Sequence, residues 1–236
     1  MTHKLGRIVS IDEKDKKFLM ARRLAAPGTA MPTSKTWAMN GKSLNQMSTG
    51  TCVGHAWKNF LRCAPIQTEK EGPSQWDIYR KATGLDEWSD NDDEATLPDG
   101  DTGLDWGTSV RAGAQAVTAY GRLQSYLWAF ELQPALEWVL TKGPIVLGVN
   151  WYSSFNKPDA EGIVKITPAA RIEGGHAFLW RGANTKRALA ACENSWGDGW
   201  ARGGAFFIPL SALERLIHEQ GECCTAIEQK LKAATL

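Results

Sequence analysis

Cysteine is scarce in this 236-residue chain: five stand at positions 52, 63, 192, 223 and 224, an odd number with no C-x-x-C spacing. That excludes a paired disulfide framework and a zinc ribbon, and suits a reducing cytosol. Net charge is nearly absent as well. The 27 Lys and Arg against 26 Asp and Glu leave +1, so neither nucleic acid nor an anionic membrane has a reason to bind. Long apolar runs are missing, "PIVLGV" being typical, and no membrane-spanning helix is expected. The opening "MTHKLGRIVSIDEKDKKFLMARR" is charged and has no apolar core segment, so no secretory signal is expected. No internal repeat or low-complexity tract occurs. What is left is a length that suits one large domain or two packed halves around a hydrophobic core.

The two halves differ in character. After a polar N-terminal arm (1–36), apolar positions Val53, Ala56, Trp57, Phe60, Leu61 and Ala64 follow the i, i+3, i+4, i+7 pattern of a helix that ends before Pro65. Ser74, with Asp77 three residues on, caps a second helix. Residues 107–121 make a third, stopped by Gly121, and "LQPALEWVLTKGP" a fourth, with Pro134 in its first turn. Between them, residues 86–105 carry nine acids in twenty positions and read as an exposed loop. A calcium loop fails there, because the sixth position counted from Asp90 is Ala95 where glycine is needed, so no metal is expected. Beyond Pro144 come short β-like runs, "IVLGVNW", "GIVKI", "HAFLWRG", "ALAACEN" and "GAFFIP". The reading is α+β: a mainly helical lobe (37–121), a mainly antiparallel β lobe (122–236), and a cleft between them where a ligand binds.

Within this frame "SLNQMSTGTCVGHAW" places Cys52 at the seam of a Ser/Thr/Gly loop and a helix. Unpaired N–H groups and the helix dipole favour a thiolate there. Taken alone, such a cysteine is a small buried apolar residue. His176 alone is a core histidine in an apolar strand, and Asn194 alone a turn residue. His3, His55 and His218 carry no comparable context.

Three separated stretches bear on this. "NQMSTGTCVGHAW" resembles the papain-like cysteine peptidase segment in which a Gln precedes the nucleophilic Cys by six residues; "GGHAFLWRG" resembles the segment around that family's His; "CENSWGDGWARGGAFFI" is similar to its Asn-Ser-Trp-Gly signature. "KGPIVLGVNW" resembles the helix-to-strand step before the His strand. The likeness runs from about Trp37 to near Ile227, closest to the disulfide-poor bacterial and phage-encoded branch. It implies a two-lobe papain-like fold and a thiol peptidase, cytoplasmic or virion-associated, with a polypeptide substrate and no cofactor. Cys52 would attack the carbonyl, His176 would exchange the proton, and Asn194 would hold the imidazole tautomer. Gln46 and the Cys52 N–H would form an oxyanion hole worth about 3 kcal/mol per donor.

The resemblance also implies that Trp196 shields the His–Asn bond. By the same resemblance, Gly107 pairs with substrate backbone, and Thr108, Ser109 and Gly148 line a side-chain pocket deep enough for an apolar or aromatic group. Several positions depart from the pattern. Val53 stands for an aromatic, Met47 for a Gly, Thr49 for a disulfide cysteine and Gly175 for an Asp. The same groups serve a cell-wall amidase, an isopeptidase or a transferase, and a silent binding module shares the fold. Only 36 residues precede Trp37, too few for the family's long inhibitory pro-region, so none is expected.

Overall fold

The computed structural model describes residues 3–24, 30–65, 67, 72–86 and 94–228. Along the chain lie β1 (Arg7–Ile8), β2 (Ser34–Thr36), α1 (Cys52–Arg62), α2 (Gln75–Thr83), β3 (Glu94–Thr96), β4 (Thr102–Leu104), β5 (Thr108–Ser109) and α3 (Val110–Ala119). Then come β6 (Leu123–Ala129), α4 (Leu132–Thr141), β7 (Ile145–Tyr152), β8 (Ile172–Asn184), β9 (Leu189–Glu193), β10 (Ala205–Pro209), α5 (Leu210–His218) and β11 (Glu222–Glu228). The fold is α+β in two lobes. A seven-stranded sheet runs β10-β9-β8-β7-β11-β6, with β2 added on β8, and all its pairings are antiparallel.

Strand alternation divides the interior. Leu147, Val149, Phe178 and Trp180 point to one core, shared with Val139 of α4 and Leu213 of α5. Val146, Ala177 and Leu179 point to the other, under Val53, Trp57, Phe60 and Leu61 of α1 and Val117 of α3. With helices on both faces, β7 is buried on both sides, which is why "IVLGVNWY" reads as an apolar run interrupted only at Asn150. Each large α1 side chain so buried contributes about 1.5–3 kcal/mol. Ser74 and Asp77 close a full capping box on α2, and Gly121, at φ +70°, ends α3.

Two expectations need correction. Part of the acidic segment forms a hairpin, β3 with β4, while residues 87–93 fall outside the described ones. "GIVKI" is no strand: it makes a single bridge, Ile163 to Phe207, because Gly162 turns the chain at φ +78°. Cys223 and Cys224 lie on a strand, β11, and face opposite cores, while β6 and α5 were not anticipated. The arm joins the fold through β1, which pairs in parallel with β5. All five cysteines are free and buried, as the odd count suggests. No helix among the described residues is long and apolar enough to cross a membrane. No group of three metal-ligating side chains occurs among them either.

Candidate active site

The loop before α1 is zipped to the segment after β9. Gln46 N–H donates to the Ser195 carbonyl (2.8 Å), and Gly197 N–H to that of Leu44 (2.9 Å). The Ser195 hydroxyl donates to Gln46 Oε1 at 2.6 Å, which orients the Gln46 amide with its N–H groups outward. One of them reaches the Lys4 carbonyl at 2.9 Å, and Nε2 also meets the Thr49 carbonyl at 2.6 Å. Sequence placed Gln46 as a donor to an acyl oxygen; in the structure the oxygen it meets belongs to the chain's own arm.

His176, on β8, contacts Asn194 Oδ1 through Nε2 at 2.7 Å. The Ser195 N–H donates to the same Oδ1 at 2.8 Å, so this atom is an acceptor and His176 Nε2 must carry the proton. Nδ1 therefore holds the lone pair, and it has no hydrogen-bond partner among the described residues. Aromatic rings enclose the pair. Trp196, 5 % exposed, lies 5.1 Å from the imidazole centroid, and Trp151 meets it edge-on at 4.8 Å. Trp196 thus stands where a shield was expected, while Trp151 was missed; as one apolar residue in an apolar strand it gave no separate signal.

Cys52 opens α1, where backbone of Ala177, the neighbour of His176, and of Gly6 and Val53 favours its charged form. The seam suggested a thiolate. Burial instead pushes the Cys52 thiol up to about 11, against the pull of those backbone groups and the Arg7 charge. Burial likewise drives His176 down to about 4, despite the Asn194 bond. Cys52, His176, Asn194 and Gln46 are all fully buried. The couple is thiol and neutral imidazole in this state.

The arm lies over the site. His3 stacks on Trp196 with centroids 4.5 Å apart and bonds the Met47 carbonyl at 3.1 Å. Lys4 pairs with Asp105 at 2.9 Å. Gly6 runs so close to Gly50 and Gly107 that a Cβ on it would lie 1.8 Å from the Gly50 oxygen. Its carbonyl accepts from Thr108 N–H at 2.9 Å. No feature of "HKLGRI" announces this, because its partners lie more than forty positions away in the chain.

The expected substrate-binding residues sort differently. Gly107, at φ +108°, abuts Gly6, but its own N–H donates to the Tyr79 hydroxyl (3.0 Å); Thr108 makes the strand bond instead. The Thr108 and Ser109 hydroxyls donate to Asp86, at 2.5 and 2.9 Å. Gly175 lies against the Arg7 backbone, a Cβ there falling 2.2 Å from its carbonyl oxygen. Gly148 does open a recess, yet its occupant is not apolar. Arg7 lies over it and pairs with buried Glu222 at 2.7 Å.

This two-lobe arrangement, with a cysteine at a helix start facing a histidine strand, is that of the papain-like cysteine proteases in fold. No protein-family model matches the chain, and no curated protein matches it in sequence. Among solved structures it is similar to xylellain, a cysteine protease from Xylella fastidiosa, with a TM-score of 0.68 and 15 % identity over 98 % of this chain and 99 % of that one. It is also similar to the digestive procathepsin L2 proteinase of Tenebrio molitor larval midgut, with a TM-score of 0.63 and 17 % identity over 95 % of this chain and 78 % of that one. At these identities the likeness is one of fold.

Proposed function

We propose that the chain is a thiol-dependent peptidase acting through an acyl-enzyme on Cys52. The observation that carries this is the His176–Asn194 pair: with Oδ1 committed as acceptor, the imidazole presents a lone pair on Nδ1 beside backbone that favours the Cys52 thiolate. His176 takes the thiol proton as the sulfur attacks the scissile carbonyl, then gives it to the leaving amine. Water repeats the cycle in reverse and frees the acid. The Gln46 amide, already donating to a carbonyl oxygen, and the Cys52 N–H stabilise the tetrahedral oxyanion. The xylellain and procathepsin L2 folds support the same chemistry. The arm must leave before a substrate enters, so the state described is the closed one.

The test is turnover of a mixed peptide library by the chain carrying Gly6→Leu, which the arm's packing cannot accommodate, alone and with Cys52→Ala. Cleavage abolished by Cys52→Ala is expected. Cleavage that survives it rules out this nucleophile.

A further inference from the structure

His55 stands one turn beyond Cys52 on α1, fully buried, and takes no part in the proton transfer between Cys52 and His176. Its Nδ1 meets the Thr51 carbonyl at 2.9 Å. A carbonyl only accepts, so the proton of the neutral ring sits on Nδ1 and Nε2 is a bare lone pair. That Nε2 is buried without a hydrogen-bond partner among the described residues. Trp76 of α2 meets the ring edge-on at 4.7 Å. A phenyl ring would fill the same space and leave no polar atom bare, so packing alone does not account for an imidazole here.

The Nδ1–H stands at the head of a directed chain. It leans to the Thr51 hydroxyl oxygen as well, at 3.4 Å. The Thr49 hydroxyl spends its proton on the Gln46 carbonyl at 2.6 Å, so toward the Thr51 hydroxyl, 2.7 Å away, it can only accept. The Thr49 N–H donates to the same Gln46 carbonyl at 3.2 Å, and Gln46 Nε2 returns a bond to the Thr49 carbonyl at 2.6 Å. One N–H of the Gln46 amide is thereby fixed, which aims the other at the place the Lys4 carbonyl now occupies. Resting on the peptidase reading, we propose that His55 is a positioning residue for the oxyanion donor, holding Thr51 and through it the Thr49–Gln46 clasp. A donor so aimed matters most when the carbonyl oxygen gains charge, so loosening it lowers kcat and spares both KM and the reactivity of the thiol.

The test compares His55→Phe, which keeps the ring and loses the donor, with His55→Asn, whose amide nitrogen takes the place of Nδ1. Hydrogen exchange at the Thr49 amide, read by NMR in the otherwise intact chain, should quicken at least about tenfold in His55→Phe and return toward the starting rate in His55→Asn. In the Gly6→Leu chain, kcat for a peptide it cleaves should fall on the order of tenfold with His55→Phe at unchanged KM, and recover most of that with His55→Asn. Iodoacetamide alkylation of Cys52, which forms no oxyanion, should keep its rate in both. Should the His55→Phe chain not fold, His55→Gln, whose amide nitrogen reaches the Nε2 end of the ring, replaces it. Unchanged Thr49 exchange overturns the proposal, and so does a loss of kcat matched in alkylation or left unrescued by asparagine. If the Gly6→Leu chain cleaves no peptide, the peptidase reading falls, and the exchange comparison alone decides whether His55 holds the loop.

Discussion

Cys52 and His176 are both held neutral by burial, the thiol at about 11 and the imidazole at about 4, and neither value suits attack at neutral pH. Water admitted to the cleft removes the largest cause of both shifts, so the thiolate–imidazolium form becomes accessible only once the arm is out. In the intact chain, iodoacetamide at pH 7 should therefore label Cys52 slowly; labelling as fast as that of an exposed cysteine contradicts the burial argument. His176→Ala, made in the Gly6→Leu chain, should lower peptide turnover by roughly 10²–10⁴-fold. Asn194→Ala should cost less, because it removes an orienting acceptor and not the proton carrier. Equal losses for the two, measured as kcat/KM, would place Asn194 in a different role. At this scale the site residues were legible because three motifs, each weak alone, occurred in one order. Glu222 was not, since its meaning depends on Arg7, a partner 215 positions away.

At the scale of elements, the arm and the cleft meet through backbone. Gly6 fits between Gly50 and Gly107 only because it has no side chain, and its carbonyl completes the pairing of β1 with β5. Gly6→Leu should expel the arm, raising Cys52 alkylation at pH 7 at least tenfold while far-UV circular dichroism stays unchanged; unchanged alkylation would mean that something else covers the sulfur. Alternation and periodicity revealed α1 to α4 and the runs that became β7 to β10, since those elements bury defined faces. β6 was obscured because "LQSYLWA" mixes exposed and buried residues without strict alternation. "GIVKI" misled in the other direction. Its apolar side chain Val164 is buried, but by loop packing and one bridge. The arm's residues carried no periodic signal at all.

For the whole molecule, buried titrating groups set the pH response. His55 and His176 are each lowered by burial from 6.5 to about 4. The unfolded chain takes up protons near pH 6.5 that the folded chain refuses until about 4, so their contribution is full above 6.5 and is lost as pH falls through that window. Glu222, raised by burial from 4.5 to about 7, acts oppositely: its contribution is full below 4.5 and is lost as pH rises to about 7. Glu193, also raised by burial, acts with Glu222, while the lowered carboxyls of Asp77 and Glu219 act with the imidazoles, and the net is a loss on acidification between pH 6.5 and 4. The melting temperature at pH 4.5 should lie roughly 5–10 °C below that at pH 7. A flat profile, read by calorimetry at both pH values, would show the imidazoles to be hydrated in the fold. The central claim is that Cys52 is a nucleophile activated by His176. Its most direct measurement is peptide mapping by mass spectrometry after an epoxide thiol reagent is added to the Gly6→Leu chain at pH 6. The account requires a single adduct on Cys52 that disappears with His176→Ala. An adduct led by Cys63, spread over all five cysteines, or indifferent to His176→Ala contradicts it.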